Sequence, residues 1–593
     1  MKNHFLIPVL SILSISTISN AAETKLDDVV VTATRTAISA DESIVPVVVI
    51  TADDIKKSPA NDIPTLLSGT AGINVGRSGG LGGQTSIFVR GTESNHLLVL
   101  IDGVRAGSLS IGATAIEHIP LELVERIELI KGNRSSLYGS DAIGGVLQIF
   151  TKKGADDGSG FHPSVLISTG SNETHKMSFA VSGGMDGFSM SMTGAFLHSG
   201  GYDVTLDSNP NNNPDDDSYS NDSVSLNIGK LWDNGIKLDL LYMDSDANVE
   251  FDGWYYESDV DNSLSSLKLF APLGDKVDLT FQVAESKDEL VSYDSFGSSE
   301  NKSRRRQQTL QVDYSPTDEL QLSLGLERQQ DKLNSTNYAD QKIKNKSSYI
   351  QGIYEVGIVG VLAGFRNDDY GVYGDENTWN IGASFDITES IKLTANSGTG
   401  FKVPTFNDLF WPGGGNPELL PEKSKNYEIG VGYDVQLIQI QLNIYKTEVE
   451  DLIAGWPSTN INKAKISGEE LIVKLPGNKI ADFVIELSHV DATDDATGDQ
   501  LLKRPVRSGK ISAAKTIGAF DIALTAFGYS SSLDWGGTEA AGYGVFGGVI
   551  NYELNKHVDF TLRAENLFDK KYSSVYGYSS PGRSFMLEMT AGF

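Results

Sequence analysis

The 593-residue sequence contains no cysteine, which excludes disulfide bonds, zinc–thiolate centres and thiol catalysis. Positive charge is scarce, because 48 lysines and arginines stand against 78 aspartates and glutamates, for a formal net charge of −30. So acidic a chain is poorly suited to binding nucleic acid. Beyond the N-terminal segment, no apolar run reaches the about 18 residues of a membrane-spanning helix, although the strands of a membrane barrel escape such a search.

The eight histidines form no recognisable catalytic arrangement with serine and aspartate. We therefore predict a protein that is not an enzyme and that has no catalytic cofactor. Glycine, by contrast, is abundant with 61 residues, which suits a chain rich in strands and turns.

The N-terminus has the three parts of a secretory signal peptide. Lys2 supplies the basic region, Phe5 to Ile18 form the apolar region, and Ser19-Asn20-Ala21 places small residues at the cleavage positions. We predict that residues 1–21 are a signal peptide, cut after Ala21 or Ala22. A buried N-terminal helix is the alternative, and the shortness of the apolar stretch argues against it.

Residues 46–154 have the mixed pattern of a small α+β domain. A strand is predicted over Val47 to Ile50, and Thr51 with Asp54 forms a capping box that starts a helix. Further elements are a short helix at Ile63 to Ser68 and strands at Ile87 to Arg90, Leu97 to Ile101 and Val124 to Ile130.

Residues 155–593 alternate apolar and polar side chains in strand after strand. In the last one, Phe585, Leu587, Met589 and the terminal Phe593 share one face, which is typical of an outer-membrane barrel strand. Short turns such as Asp186-Gly187 alternate with long polar stretches, as they do between the two ends of such barrels. We expect the long stretches to be loops near 203–222, 244–262, 288–307, 366–378, 401–425, 493–508 and 530–542.

The length of this region predicts the size of the barrel. At roughly 20 residues for a strand and its connection, it holds about 22 antiparallel strands. A barrel so wide would be an open hole, so we expect the α+β domain to fill its lumen as a plug. An array of soluble β-sandwiches is the alternative.

Several motifs resemble those of one family. Asp28-Val29-Val30-Val31-Thr32-Ala33 is a short β-prone run in a polar tail, suited to strand addition onto a partner. Ile87 to Gly91, Leu100 to Arg105, Ile127 to Gly132 and Tyr138 to Val146 are similar to plug signatures, and Glu565 to Tyr572 is similar to a C-terminal segment. Together they resemble the TonB-dependent receptors of the bacterial outer membrane.

The resemblance implies an energised importer. Residues 22–45 would be a periplasmic tail, and residues 28–33 within it the Ton box that binds TonB, which works with ExbB and ExbD. Lipopolysaccharide would surround the barrel, and phages or bacteriocins are candidate hijackers of its loops. Within the plug, we expect Arg90, Arg105, Glu128 and Arg134 to form ion pairs with the plug or the barrel, and glycines such as Gly91 to permit turns and close approach.

The barrel loops are most similar to those of cobalamin (vitamin B12) receptors within this family. The matching segments are Gly201 to Val204, Phe251 to Tyr256, Pro421 to Lys425 and Val575 to Tyr578. The resemblance implies corrinoid contacts at the plug apex and the barrel, namely Gln84, Ser86, Thr92, Glu93, Ile111, Gly112, Gly253, Arg504 and Tyr543. A siderophore or heme receptor is the nearest alternative. A passive porin and a signalling receptor fit the sequence less well.

Two neighbouring loops are rich in carboxylates. If they converge outside the membrane, a hard cation would have to neutralise them, and mixed carboxylate, amide and carbonyl oxygens suit calcium. Solvated acidic loops are the alternative. The resemblance implies the ligands Asp203, Asn213, Asp215, Asp217, Phe251 (through its carbonyl), Asp252 and Asp261. Asn213 and Phe251 differ from the residues expected there, and Asp259 competes with Asp261.

Overall fold

The computed structural model describes residues 30–31, 38–39, 43–155 and 160–593. The predicted signal peptide, most of the periplasmic tail, and Asp28, Val29, Thr32 and Ala33 of the predicted Ton box lie outside these residues. Val30 and Val31 form a two-residue strand, β1 (Val30–Val31), which pairs antiparallel with β2 (Ile38–Ser39).

The N-terminal domain is a small α+β unit. Its helices are α1 (Ala52–Lys57), α2 (Ile63–Leu67) and α3 (Ser135–Tyr138), with 3₁₀ turns at Ser94–His96, Ile116–His118 and Leu121–Leu123. Its strands are β3 (Val47–Thr51), β4 (Ile73–Arg77), β5 (Thr85–Val89), β6 (Leu97–Ile101), β7 (Val104–Arg105), β8 (Val124–Lys131) and β9 (Gly145–Thr151). One sheet has the order β3-β8-β9-β6-β7, and β4 pairs with β5 in a separate hairpin. The sequence missed β4, β7 and β9.

Side-chain hydrogen bonds to the backbone fix where α1 and α2 begin. The Thr51 hydroxyl accepts from the Asp54 backbone N–H, and the Asp54 carboxylate accepts from the Thr51 N–H, so the predicted capping box is present. Asp62 caps α2 by accepting from the Thr65 N–H at 2.8 Å. Behind these helices, the sheet buries a core that includes Ile127, Leu147 and Ile149.

The second domain is a closed barrel of 22 antiparallel strands, as the sequence predicted. The strands, in chain order, include two short loop strands (β29 and β30) that stand outside the barrel. They are β10 (Gly160–Gly170), β11 (His175–Met185), β12 (Phe188–Tyr202), β13 (Asp217–Leu231), β14 (Lys237–Glu250), β15 (Glu257–Pro272), β16 (Val277–Asp294), β17 (Gly297–Thr317), β18 (Leu320–Ser335), β19 (Gln341–Val356), β20 (Val359–Asp369), β21 (Asp375–Thr388), β22 (Ile391–Lys402), β23 (Glu422–Val435), β24 (Ile438–Ala454), β25 (Thr459–Leu475), β26 (Asp482–Asp494), β27 (Arg507–Ile517), β28 (Phe520–Tyr529), β29 (Ser532–Leu533), β30 (Glu539–Ala540), β31 (Tyr543–Asn555), β32 (Val558–Glu565) and β33 (Ser584–Gly592). A helix, α4 (Phe406–Phe410), and a 3₁₀ turn at Trp535–Gly537 lie in two of the loops.

Every strand pairs with its neighbour in the chain order of the barrel, and the last strand closes the ring by pairing with the first, β33 with β10. On β33, Phe585, Leu587 and Met589 are exposed on the outer face, whereas Met586 and Glu588 are buried against the lumen. The predicted lipid-facing side of this strand is thereby confirmed, and closure leaves the barrel without an unpaired strand edge.

The N-terminal domain fills the lumen. Its apolar core continues into the barrel wall, where Ala195, Leu241, Met243 and Leu264 pack against it. Gly91 has a φ of +79°, and a Cβ there would lie 2.7 Å from Val490 of the wall, so this position needs glycine for both its conformation and its close approach.

The predicted long loops were partly wrong. The stretch 288–307 lies mainly in two strands joined at residues 295–296, and 244–262 contains only the short loop 251–256. At ~3.4 Å per residue, the 21 residues of β17 extend roughly 70 Å along the strand, far beyond an apolar band ~25 Å tall. Polar segments that the sequence assigned to loops are therefore strands that project outside the membrane.

The short turn predicted at Asp186-Gly187 is confirmed. Asp186-Gly187 and the turns after β13 and β15 share one end of the barrel, which we assign to the periplasm. The opposite, extracellular end carries the longer connections, among them 203–216, 403–421, 495–506, 530–542 and 566–583. Among the described residues, no helix is long and apolar enough to cross a membrane.

Candidate functional site

Buried ion pairs fasten the plug to the wall. Arg90, held at a φ of +52°, donates to Glu428 on β23 at 2.7 Å and to Glu470 on β25 at 2.9 Å. Lys131 of the plug lies 3.2 Å from the same Glu470. Burial alone would lower the pKa of Arg90, but Glu428 and Glu470 hold it well above the ordinary value. The plug is thus fixed by charges that have no access to water.

The other predicted plug ion pairs have mixed outcomes. Arg105 pairs with Asp141 at 3.4 Å and Glu128 with Arg126 at 2.9 Å, both within the plug. Arg134 instead donates to the backbone carbonyls of residues 131 and 133. Backbone carbonyls accept from the buried guanidinium but do not neutralise its charge, and burial lowers the pKa of Arg134 to about 10.

The plug apex faces the extracellular opening. Gln84 and Ile111 are exposed there, and Ser86 is half-buried on β5. Gly112 has a φ of +73°, and a Cβ at this position would come within 2.8 Å of Thr405 in the barrel loop 403–421. The structure therefore places Gly112 against the loop 403–421, whereas the turn that precedes Gln84 lies against Val204 and Tyr219.

Glu93 and Arg504, predicted separately as ligand contacts, form an ion pair of 2.6 Å. Arg504 also donates to the carbonyl of Gly91 at 3.2 Å and lies 4.5 Å over the ring of Phe88. The loop 495–506 is thus held against the apex by a side chain that is itself 5% exposed.

The last two predicted corrinoid contacts lie elsewhere. Gly253 is exposed in the loop 251–256, next to Trp254, whose indole N–H donates to Asp294. Tyr543 stacks on Tyr572 with ring centroids 4.3 Å apart, and both line a cavity between the plug and the wall.

Three of the predicted calcium ligands converge. Asp203, Asp217 and Asp252 each offer a carboxylate oxygen within 4.8 Å of the others, and Asp217 and Asp252 are buried. We call this group the carboxylate cluster. The backbone of Val204 donates to Asp217 at 3.0 Å, and that of Thr205 donates to Asp203 at 3.2 Å.

The remaining predicted calcium ligands are not part of the carboxylate cluster. Asn213 and Asp215 are exposed in the loop 203–216, and Phe251 lies half-buried beside Asp252. Asp261 is on the outward face of β15, directly opposite Asp246, and the structure does not bring it to the cluster.

Two residues of this site were not predicted from the sequence. The Asn212 amide donates to both carboxylate oxygens of Asp203, at 3.2 and 3.3 Å, and the Thr205 hydroxyl donates to Asp252. Neither residue is acidic, so composition gave no signal for them.

Glu117 is a further buried acid that sequence did not single out. Its Oε1 accepts from the Thr85 N–H at 3.2 Å, while its Oε2 has no hydrogen-bond partner among the described residues. Burial raises the pKa of Glu117 to about 8. A neutral carboxyl thus lies within the plug at physiological pH.

Two family models match the two parts of this plugged 22-strand barrel. Residues 165–567 match the family model described as "TonB dependent receptor-like, beta-barrel", and residues 39–146 match "TonB-dependent Receptor Plug Domain". The chain belongs to the TonB-dependent receptors, and it is an outer-membrane transporter. The family implies energy coupling through TonB and a substrate ligand.

Two full-length relatives carry the same name. The chain is 33% identical over 100% of both chains to "Vitamin B12 transporter BtuB" of Photobacterium profundum. It is 29% identical to the protein of the same name from Vibrio vulnificus, over 99% of this chain and 98% of that one.

Solved structures share the fold. The ferric enterobactin receptor PfeA of Pseudomonas aeruginosa has a TM-score of 0.82 at 19% identity, covering 93% of this chain and 99% of that one. The siderophore receptor PirA of Acinetobacter baumannii has a TM-score of 0.81 at 18% identity, covering 92% and 98%. At such identities the likeness concerns the fold alone.

Proposed function

We propose that this transporter imports cobalamin and related corrinoids, with calcium ordering the loops that hold the ligand. The observation that carries the substrate is the full-length similarity to two proteins named as vitamin B12 transporters. The fold does not discriminate between substrates, since the structural relatives are siderophore receptors.

Calcium is supported by the chemistry of the carboxylate cluster. Its donors are hard oxygens, which suit calcium better than a transition metal. Two of the three carboxylates are buried within 4.8 Å of one another, and like charges so placed repel unless a cation neutralises them. Asp203, Asp217 and Asp252 would hold the ion, which would join the loops 203–216 and 251–256.

The plug contacts support a gating role. A ligand resting on Gln84, Ser86, Ile111 and Gly112 would lie beside the loop 403–421 and the Glu93–Arg504 pair, where it can alter how the plug meets the wall. Release of residues 28–33 would then let TonB add to them as a strand, drawing energy through ExbB and ExbD. Force on this tail would pull the plug against the buried pairs of Arg90.

Binding of labelled cyanocobalamin to the purified receptor tests the substrate, with a ferric catecholate siderophore as the competing ligand. We expect corrinoid affinity in the nanomolar range with calcium and a large loss on chelation. Saturable binding of the siderophore without corrinoid binding would instead favour the siderophore receptor.

Uptake of the corrinoid by cells tests the coupling to TonB separately from ligand binding. Deletion of residues 28–33 should abolish corrinoid uptake by cells while leaving surface binding intact. Unchanged uptake would indicate a passive pore. A matched deletion of the exposed residues 371–372 in a barrel loop controls for damage to the fold.

A further inference from the structure

His96 is fully buried at the plug apex, directly before β6 begins. It ends the turn formed by residues 91–96, which carries two predicted ligand contacts, Thr92 and Glu93, and which we call the contact turn. Burying a polar side chain without hydrogen bonds is costly. Both ring nitrogens of His96 therefore need partners within the protein.

The two ring nitrogens of His96 have different partners. Nδ1 lies 3.3 Å from the backbone nitrogen of Glu93, within the contact turn. Nε2 lies 3.0 Å from Oε2 of Glu422, the first residue of β23 in the barrel wall. The ring therefore joins the contact turn to the wall across the boundary of the plug.

These partners assign one tautomer to the ring. The Glu93 N–H can only donate, so Nδ1 has to accept from it and carries no proton. An ionised carboxylate can only accept, so the proton that faces Glu422 lies on Nε2. In the neutral ring of His96 the proton thus points toward the wall and the lone pair toward the contact turn.

Glu422 is itself oriented by the wall. Its Oε1 accepts from the backbone N–H of Ile453 on β24 at 2.9 Å, which leaves Oε2 for His96. The carboxylate is 2% exposed, and among the residues that the structure describes it forms no ion pair with a lysine or an arginine. The tautomer of His96 is therefore set by an acceptor that two neighbouring strands hold in place.

The backbone around His96 is fixed on both sides. The His96 N–H donates to the Glu93 carbonyl at 3.0 Å, and the His96 carbonyl accepts from the Gly144 N–H at 2.9 Å. A Cβ at Gly144 would lie 2.3 Å from the Thr92 hydroxyl, so the plug approaches the contact turn closely here. The position of the ring proton therefore decides whether the Glu93 N–H has an acceptor.

The contact turn also holds Arg504. The carbonyl of Gly91 accepts from its Nε at 3.2 Å, and the carbonyl of Thr92 accepts from its Nη2 at 3.4 Å. The direction of these carbonyls depends on the backbone of the contact turn, which His96 fixes through the Glu93 N–H. A change at the ring would therefore shift the guanidinium of Arg504.

We propose that His96 is a positioning residue for ligand binding, and that Glu422 fixes the tautomer in which it acts. The inference rests on the proposed function, because the contacts of Thr92, Glu93 and Arg504 with a corrinoid belong to that proposal. Being fully buried, His96 does not touch the ligand. It acts through the backbone of the contact turn and through Arg504.

Two substitutions separate the hydrogen bonds of the ring. His96→Asn places an amide oxygen where Nδ1 lies, so the Glu93 N–H keeps its acceptor and the bond to the wall is lost. His96→Gln places its amide near the position of Nε2, so the bond to Glu422 is kept and the acceptor for Glu93 is lost. A role in stability alone predicts similar effects, since each variant loses one bond.

Glu422→Gln tests the tautomer directly. Its amide oxygen keeps the bond from the Ile453 N–H, so its NH₂ group faces Nε2 of His96. Nε2 then has to accept, the ring proton moves to Nδ1, and the Glu93 N–H loses its acceptor. This variant should therefore resemble His96→Gln, although His96 itself is unchanged.

Equilibrium binding of labelled cyanocobalamin to the purified full-length receptor, with calcium present, measures these effects. We expect His96→Asn to keep the Kd within about threefold, and His96→Gln and Glu422→Gln to raise it about tenfold or more. His489 and Glu469 form a pair with the same separation of 3.0 Å on the outer wall. The control variants His489→Gln and Glu469→Gln should leave the Kd unchanged.

Equal losses in His96→Asn and His96→Gln would overturn the proposal, and so would an unchanged Kd in Glu422→Gln. Heat-modifiable migration on a gel monitors folding. If His96→Gln does not fold, the comparison of Glu422→Gln with the unaltered receptor decides.

Hydrogen exchange of the contact turn without ligand gives a comparison that does not depend on the substrate. The turn should exchange faster in His96→Gln than in His96→Asn, and equal rates would contradict the positioning role. If the unaltered receptor binds no cyanocobalamin, the proposed substrate is wrong and this exchange comparison decides on His96.

Discussion

Arg504 on the extracellular loop 495–506 is paired with Glu93 at the plug apex, with its Nη2 2.6 Å from the carboxylate Oε1. The same guanidinium donates to the carbonyl of Gly91, so it is fastened to the plug at more than one point. A loop of the barrel and the movable part of the gate are therefore joined where the ligand is proposed to bind.

Substitution of Arg504 should reduce ligand affinity more than substitution of Glu93. Arg504→Ala removes the ion pair and the carbonyl bonds, and we expect ligand affinity to fall about tenfold or more. Glu93→Gln leaves the carbonyl bonds in place, and because Glu93 is 30% exposed the change should cost less than about 1 kcal/mol. Equilibrium binding of labelled ligand measures both, and equal losses would contradict this division.

Arg90 should be the most sensitive single position of the plug. Arg90→Gln leaves Glu428 and Glu470 buried without their main partner, which we expect to cost about 3–5 kcal/mol. Lower urea concentrations should then expose the plug to protease, and cells should leak large antibiotics. The double variant Arg90→Met/Glu428→Gln removes one charge of each sign, keeps the buried pair of Lys131 with Glu470 and should recover part of the loss. A double variant as weak as Arg90→Gln would show that the unpaired charge is not the cause.

Glu117 should make the plug less stable as the pH rises. Its folded pKa of about 8 lies above the ordinary 4.5. Below the ordinary value the carboxyl is protonated in the folded and opened plug alike. Between the two values only the opened plug loses the proton, so stability falls across this window, by at most about 5 kcal/mol, and levels off above it.

Glu117→Gln removes this pH dependence and keeps an acceptor for the Thr85 N–H. Hydrogen exchange of the β5 amides measures it, from pH 4.5 to pH 9. We expect the variant to exchange more slowly than the unaltered protein at pH 8 and at the same rate near pH 4.5. A constant difference at all pH values would contradict a titrating carboxyl.

The carboxylate cluster should respond in opposite ways with and without calcium. Asp217→Asn removes one of three crowded charges, so without calcium the loop 203–216 should become better protected from hydrogen exchange. With calcium, the variant should bind the ion at least about tenfold less tightly, because it lacks a charged ligand. Asp207→Asn, an exposed residue of the same loop, is the matched control.

The sequence predicted the large-scale features of the fold, since these depend on repeated local patterns. Alternation along the strands and the capping box at Thr51 follow from near neighbours in the chain, and the count of about 22 follows from the length of the region. The extent of the loops was less predictable, because a polar strand that projects beyond the membrane has the composition of a loop. The segment 288–307 was misassigned for this reason.

The candidate site depended more on three-dimensional packing. Asp203 and Asp252 could be singled out by composition and resemblance, but Asn212 and Thr205 enter the cluster only through the path of the loop. The pairing of Glu93 with Arg504 joins residues about 400 positions apart, and no local pattern encodes it. Asp261 was predicted as a ligand, but it lies on the outward face of β15. Successive side chains of a strand point to opposite faces, and the face of a single residue is not fixed by its composition or by resemblance.

The seam between β10 and β33 has a consequence for biogenesis. Gly170 pairs with Met586, about 400 residues later in the chain, and closing so long a loop costs about 5 kcal/mol of chain entropy. The ring cannot be completed until its C-terminal strand has been delivered. Since the plug is held by wall strands as far apart as β12 and β25, it has to be enclosed while the seam is still open. The plug is therefore enclosed in the lumen during assembly of the barrel in the membrane.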